Sequence, residues 1–345
     1  MARKFLIVCT GLMALFPALA SAHEVYVLDY ATIVRDVASI SPNPLMAILS
    51  NTYQFLFWGF VSFVVVSTVF FASIFHLFEG WASQLLNRLK RFAPLIERVT
   101  LGLSLIVFAY NGAIFGPELP LQGIYGGFTP AIQSLFYIAG ALITVGLFTR
   151  ACALLIALLA LCSVPIYGWY MLTYTAYFVV VVVVFVTGGG PYSLDRLWHR
   201  HNSKHLIERL RKRFEPYEML VLRLGFGFSV IVAAVYAKFL HSALTLDVIR
   251  LYHLTDYFQF EPLFIVLGAL IIESIIGLFI MFGIEIRWTA IFFLFWLTAS
   301  LFYFGETVWP HLALFGLNFM LFFHGYDRYS IEGRFFKRHG VEPVF

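Results

Sequence analysis

The chain has 345 residues, of which 61% are hydrophobic and 12% charged, with a mean hydropathy of +0.86; soluble domains average about half apolar and about a quarter charged. That composition excludes a water-soluble enzyme and predicts a polytopic membrane protein in contact with a lipid bilayer. The formal net charge of +4 does not call for a nucleic-acid partner, because the basic residues gather in short segments on one side of the predicted spans, as membrane topology requires. Cysteines are few: Cys9 lies in the first apolar run, and Cys152 and Cys162 lie too far apart along one apolar segment to pair, so no disulfide framework is expected.

In chain order, residues 1–22 read as a signal peptide: Arg3 and Lys4, an apolar run from Phe5 to Leu19, then the small-residue ending Ala20-Ser21-Ala22. Cleavage is expected before His23, with an uncleaved anchor as the alternative; if it occurs there, the amino nitrogen and imidazole of His23 form a candidate copper(II) chelate, unless the match is a coincidence of the cleavage site. Residues 23–50, interrupted by Pro42 and Pro44, are expected to be an outer segment with little structure. A first transmembrane helix falls within 51–80 and leads to Arg88, Lys90, Arg91 and Arg98, which places that side in the cytoplasm.

Four further spans are predicted near 99–115, 131–148, 151–168 and 171–187, and four more near 219–240, 261–283, 288–304 and 310–324, about nine in all. The segments predicted to be cytoplasmic carry Arg150, Arg287, the run from Arg196 to Arg213, and Arg328 to Arg338, whereas the outer loops hold only Arg35 and Arg250. This asymmetry predicts a bacterial or archaeal inner-membrane protein with its mature N-terminus outside and its C-terminus in the cytoplasm. The basic linker 199–217 carries Leu206, Leu210 and Phe214 at a spacing of four, a pattern that fits an amphipathic helix on the inner leaflet or a solvated connector. Arg150 and Arg287 each begin a span and are expected to sit among lipid headgroups.

Eight of the spans fall into two copies of one pattern. Gly140, Gly146, Arg150, Tyr192, Ser193 and Asp195 match Gly277, Gly283, Arg287, Tyr329, Ser330 and Glu332 at an offset of about 137. Upstream, Arg98, Gly102 and Ser104 match Arg223, Gly227 and Ser229 at about 125, so roughly 12 residues were gained early in the later copy, in what is expected to be a loop. The predicted fold is therefore an all-α polytopic transmembrane bundle of two parallel four-helix repeats, 95–198 and 218–335.

In the later copy, Arg223-Leu-Gly-Phe-Gly opens the first helix, Lys238 closes it, Glu273 precedes Gly277 and Gly283, and Arg287 starts the third. This order resembles the DoxX family of four-helix membrane proteins, which is related to the DoxD subunit of thiosulfate:quinone oxidoreductase. The earlier copy resembles it through Gly140, Gly146, Arg150 and the Gly-Gly-Gly-Pro-Tyr-Ser-Leu-Asp ending at 188–195. It departs where Ala113, Phe136, Trp169 and Tyr174 stand in place of Lys238, Glu273, Glu306 and His311. The resemblance implies a component of a membrane redox or sulfur-metabolism system, acting with a quinone or a membrane redox partner and with no covalently bound cofactor.

The candidate chemistry lies in the second copy. Glu273 falls mid-span, where an ionised carboxyl needs a partner or a proton. Lys238, toward the outer end of the preceding span, reaches it only if the helices tilt or water intervenes. Glu306 and His311 border the same outer face and complete a polar pocket of candidate catalytic residues suited to proton transfer or anion attraction. A purely structural role, with Lys238 and Glu273 locking two helices together, is the alternative. His76 and His324 lack the attachment motif and the visible ligand spacing of a haem pair, and the glycines at 188–190 read as a helix exit rather than a phosphate loop. A small-anion or organic-acid permease is a second functional class, and a scaffold subunit a third. Against the permease, the first half shows few polar residues inside its spans beyond Asn111.

Overall fold

The fold is seen in a computed structural model, and the structure describes residues 24–49, 51–198, 209, 212–305 and 308–335. Among these the chain is helical, with no strand. The long helices are α1 (Asn51–Lys90), α2 (Ala93–Asn111), α3 (Thr129–Val145), α4 (Thr149–Leu161), α5 (Thr175–Thr187), α6 (Glu218–Val235), α7 (Pro262–Phe282), α8 (Ile286–Phe304) and α9 (Leu312–His324). Six segments among the described residues are long and apolar enough to cross a membrane: Ala93–Asn111, Leu121–Val145, Thr149–Thr187, Lys212–Leu240, Pro262–Phe282 and Ile286–Phe304. The 40 residues of α1 extend about 60 Å at 1.5 Å per residue, roughly twice a bilayer's apolar thickness, and its apolar stretch is Gln54–Phe70. The segment 1–22, expected from the sequence to be a signal peptide, His23 and most of linker 199–217 lie outside the described residues.

Positions related by the two offsets make the same contacts. Gly102 packs on Gly140, and Gly227 on Gly277; a methyl added to Gly227 would stand 2.4 Å from the Gly277 carbonyl oxygen, so α6 and α7 touch backbone to backbone. Gly146 and Gly283 both end a helix at positive φ, 74° and 67°, a conformation that glycine adopts without a Cβ penalty. Space for a side chain is closed at each by an arginine, Arg98 and Arg223 respectively. Asp195 caps the start of α4 through the Phe148 and Thr149 amides, and Glu332 caps α8 through the Ile286 amide.

The two halves meet reciprocally. Helix α2 packs along α9, and α6 packs along α5, so the first helix of each half lies against the last helix of the other. One apolar core runs through both.

Three expectations need correction. Residues 24–49 are ordered: Tyr30–Ala38 is a helix capped by Asp29, and it packs on a helix at Ser242–Leu251. That second helix lies in the stretch where the two sequence offsets differ, which is helical where the sequence predicts a loop. Arg287 is buried and donates from Nε to the Phe322 carbonyl at 2.9 Å, while Arg150 donates to the Val186 carbonyl at 3.1 Å. Both arginines therefore satisfy carbonyls at the C-terminal end of a neighbouring helix, where a cation is favoured, instead of reaching for headgroups. The reading of the triple glycine agrees with the structure: α5 ends at Thr187 and Gly188 turns away at φ 76°.

Candidate functional site

Lys238 sits in a π-helical turn, Tyr236–Leu240, that follows α6 and closes with the His241 amide on the Tyr236 carbonyl. A π turn inserts an extra residue into the helical register and re-aims the side chains beyond it, a geometry common at functional sites. The side chain is 2% exposed, and its Nζ stands 2.9 Å from Glu273 Oε2 and 2.9 Å from Glu24 Oε1. The contact with Glu273 is direct. Glu24 comes from the N-terminal segment, is itself 2% exposed, and also accepts from Thr245 Oγ1 at 2.7 Å.

One ammonium therefore lies between two carboxyls, and with both ionised the group carries a formal charge of −1. Burying three ions costs several kcal/mol each and is tolerated only with close partners. The excess negative charge creates a place for one further proton or for a polar hydrogen donor.

Glu273, whose side chain is 12% exposed, opens onto a cavity of about 30 Å³, room for two or three waters at about 10–15 Å³ each. Its polar lining comes from both halves: Thr173 and Tyr174 from the first, Ser229, Glu273, Trp296, Ser300 and His311 from the second. Trp296 Nε1 is buried with no hydrogen-bond acceptor among the described residues, a state that costs about 1–3 kcal/mol unless water or a ligand accepts from it. The expectation that the first half offers little polarity to a path between the halves is thereby overturned, because their reciprocal packing brings α5 and the turn before it to this cavity.

The first half has a counterpart space of about 10 Å³, lined by Leu105, Phe108, Phe136, Ile156, Ala160 and Tyr177 among others. By the two offsets these correspond to Val230, Ala233, Glu273, Phe293, Leu297 and Leu314, all of which line the larger cavity. Replacement of Phe108 by Ala233 and of Phe136 by Glu273 both enlarges the space and charges it.

Tyr26, two residues after Glu24, closes the same end. Its hydroxyl is 3.2 Å from that of Tyr174, and its ring meets the His311 ring edge-on at 5.2 Å. Tyr174 in turn donates to Glu118 Oε1, as does Tyr170 at 3.0 Å. Burial pushes the Glu118 carboxyl up to about 7, against the opposing effect of the two phenol donors.

Of the candidates named from the sequence, Lys238 and Glu273 form an ion pair and His311 lines the cavity beside them; Glu306 and His23 lie outside the described residues. Glu24, Tyr26, Glu118 and Tyr174 were missed. For Glu118 a signal existed: Tyr170, Tyr174 and Tyr177 recur at spacings of four and three, one helical face of phenols. Among the described residues no cluster of three His, Cys, Asp or Glu could hold a metal ion.

Compared with known proteins, the chain matches no family model, no curated protein and no solved structure.

Proposed function

We propose that the cavity beside Glu273 is a proton-exchanging site of a DoxX-like, multi-pass inner-membrane protein that serves a membrane redox or sulfur-metabolism system. In this reading the chain crosses the bilayer nine times, as a first span followed by two tandem four-helix repeats, with its C-terminus in the cytoplasm. The observation that carries it is the contrast between the two equivalent spaces: apolar in the first repeat, and in the second lined by Glu273 and His311 with Lys238 and Glu24 behind. A packing role alone gives no reason for the larger, charged space.

The size of the cavity limits the chemistry. Two or three waters fit, whereas a quinone ring does not, so a quinone would present a carbonyl oxygen at the mouth and exchange its proton through the water-sized space. Glu273 or His311 supplies that proton, and Lys238 holds the resulting carboxylate. Electrons pass between the reductant, thiosulfate or a membrane redox partner, and the quinone itself.

One observation favours a second reading, a permease for a small anion or acid: the cavity draws lining residues from both halves, as a path along a repeat interface requires. A single set of samples separates the two. Wild type and Glu273→Gln are assayed for reduction of a quinone analogue by thiosulfate and, in proteoliposomes, for uptake of the anion. Loss of quinone reduction in the variant supports the redox reading, and loss of uptake alone supports the permease. Activity that survives Glu273→Gln unchanged removes the site from both.

A further inference from the structure

Glu118 lies outside the ion triad and in the half whose own cavity is apolar, yet it is built into the same end of the bundle. It occupies the turn between α2 and α3, packed so closely on Gly116 that a methyl there would stand 2.4 Å from Glu118 Oε2 and 2.7 Å from the Tyr26 ring. Oε1 accepts from both Tyr170 and Tyr174, while Oε2 is buried with no partner among the described residues. This lopsided arrangement suits a neutral acid, whose carbonyl oxygen takes the donors and whose other oxygen carries the proton. The groups facing it are phenols from three elements: Tyr170 and Tyr174 before α5, Tyr177 on α5, and Tyr26 from the N-terminal segment, with His311 beyond Tyr26.

We propose that Glu118 is a proton store for the cavity, joined to it by the hydroxyl of Tyr174. The connection rests on position: Tyr174 hydrogen-bonds Glu118 and also lines the cavity beside Glu273 and His311. For the transfer the carboxyl group turns so that its protonated oxygen faces Tyr174, and the Tyr174 O–H turns from Glu118 to an oxygen acceptor in the cavity, either water or the oxygen of a bound molecule. The O–H of Glu118 then breaks and its proton bonds to the Tyr174 oxygen as the original Tyr174 proton passes to that acceptor. One O–H bond forms at Tyr174 as one breaks, so no tyrosinate accumulates and no electron moves. Glu118 is left as a carboxylate that both phenols then stabilise, and it recovers a proton from water at that end of the bundle. Reprotonation is poised near neutrality because burial holds the acid there.

The inference rests on the cavity exchanging protons, but its test needs no turnover. The full chain in lipid nanodiscs is titrated by infrared spectroscopy between pH 5 and pH 9, as wild type, Glu118→Gln, Glu118→Asp, Tyr174→Phe and Glu273→Gln. A protonated-carboxyl band with a midpoint near pH 7 is expected in wild type and Glu273→Gln, shifted in Glu118→Asp and absent in Glu118→Gln. The cavity is read separately by the fluorescence that Trp296→Phe abolishes. After a pH jump across 7 this signal should change in wild type, fail to change in Glu118→Gln, and respond roughly tenfold or more slowly in Tyr174→Phe. A band that persists in Glu118→Gln, or a wild type with no such band, overturns the store. Equal response rates in wild type and Tyr174→Phe overturn the connection. Because the band is expected to survive Glu273→Gln, failure of the redox or transport assays leaves a distinguishable result.

Discussion

Replacing Lys238 with Met keeps most of the side-chain volume and removes the charge that two buried carboxyls share. Each Nζ–carboxylate contact at 2.9 Å is worth about 6 kcal/mol of Coulomb attraction at an effective dielectric of about 20. With both carboxyls ionised the two contacts sum to about 11 kcal/mol, which is offset by the repulsion between the carboxylates and by a desolvation cost of several kcal/mol for each ion, so the intact triad adds little net stability. Breaking it is different, because Glu24 is left 2% exposed with no cation, and loss of one partner of a buried pair costs about 3–5 kcal/mol. In detergent or nanodiscs this corresponds to a fall in apparent Tm on the order of 10 °C. Adding Glu24→Gln and Glu273→Gln to Lys238→Met replaces every ion with a neutral group of similar size, and the triple variant should recover most of the loss. Scanning fluorimetry of wild type, single and triple variants makes the comparison. A single variant within about 1 kcal/mol of wild type, or a triple variant as unstable as the single, would refute the reasoning that Lys238 compensates two buried carboxyls.

Arg223→Leu strands Asp327, which Nε contacts at 2.7 Å with the arginine fully buried; it should cost about 3–5 kcal/mol, and Asp327→Asn less, by the same thermal assay. Gly227→Ala forces a methyl against the Gly277 carbonyl and should cost about 1–3 kcal/mol, whereas Gly59→Ala, with nothing within 4 Å, should leave Tm unchanged or slightly raised. The pH dependence of stability follows from Glu118. Its folded-state value of about 7 lies above the ordinary 4.5, so the native state binds the extra proton, and stability is fully present at low pH and falls as pH rises from about 4.5 to about 7. The loss is roughly 3 kcal/mol, from about 1.4 kcal/mol per unit. Apparent Tm measured at pH 5 and pH 8 should show that fall in wild type and not in Glu118→Gln; equal slopes in both would contradict it.

Helices were legible where composition alone decides them. The apolar runs that become α2, α6, α7 and α8 carry at most two charged residues each, and positions such as Gly146 and Gly283 follow from the one backbone conformation that ends a helix there. Lys238 and Glu273 stood out because an ion inside an apolar run has few explanations. Contacts made across the chain could not be read. Glu24 precedes a stretch with turn-forming prolines and looks like an exposed acid, and only the helix at Ser242–Leu251, packed against Tyr30–Ala38, brings it to Lys238. Glu118, between two prolines, likewise reads as a surface turn until Tyr170 and Tyr174 are seen to donate to it. Arg150 and Arg287 were misjudged for the opposite reason: a basic residue at a span end fits a headgroup anchor, and nothing local reveals that Val186 and Phe322 offer carbonyls nearby.

Proton exchange through Glu273 is the central step of the proposed chemistry at the cavity. Its most direct measurement is the number of protons taken up or released when the quinone analogue and thiosulfate are mixed with the protein in weakly buffered nanodiscs, with wild type and Glu273→Gln compared at matched thermal stability. A pH change in phase with turnover is expected in wild type, and its loss in the variant. The same proton exchange in Glu273→Gln as in wild type would contradict it.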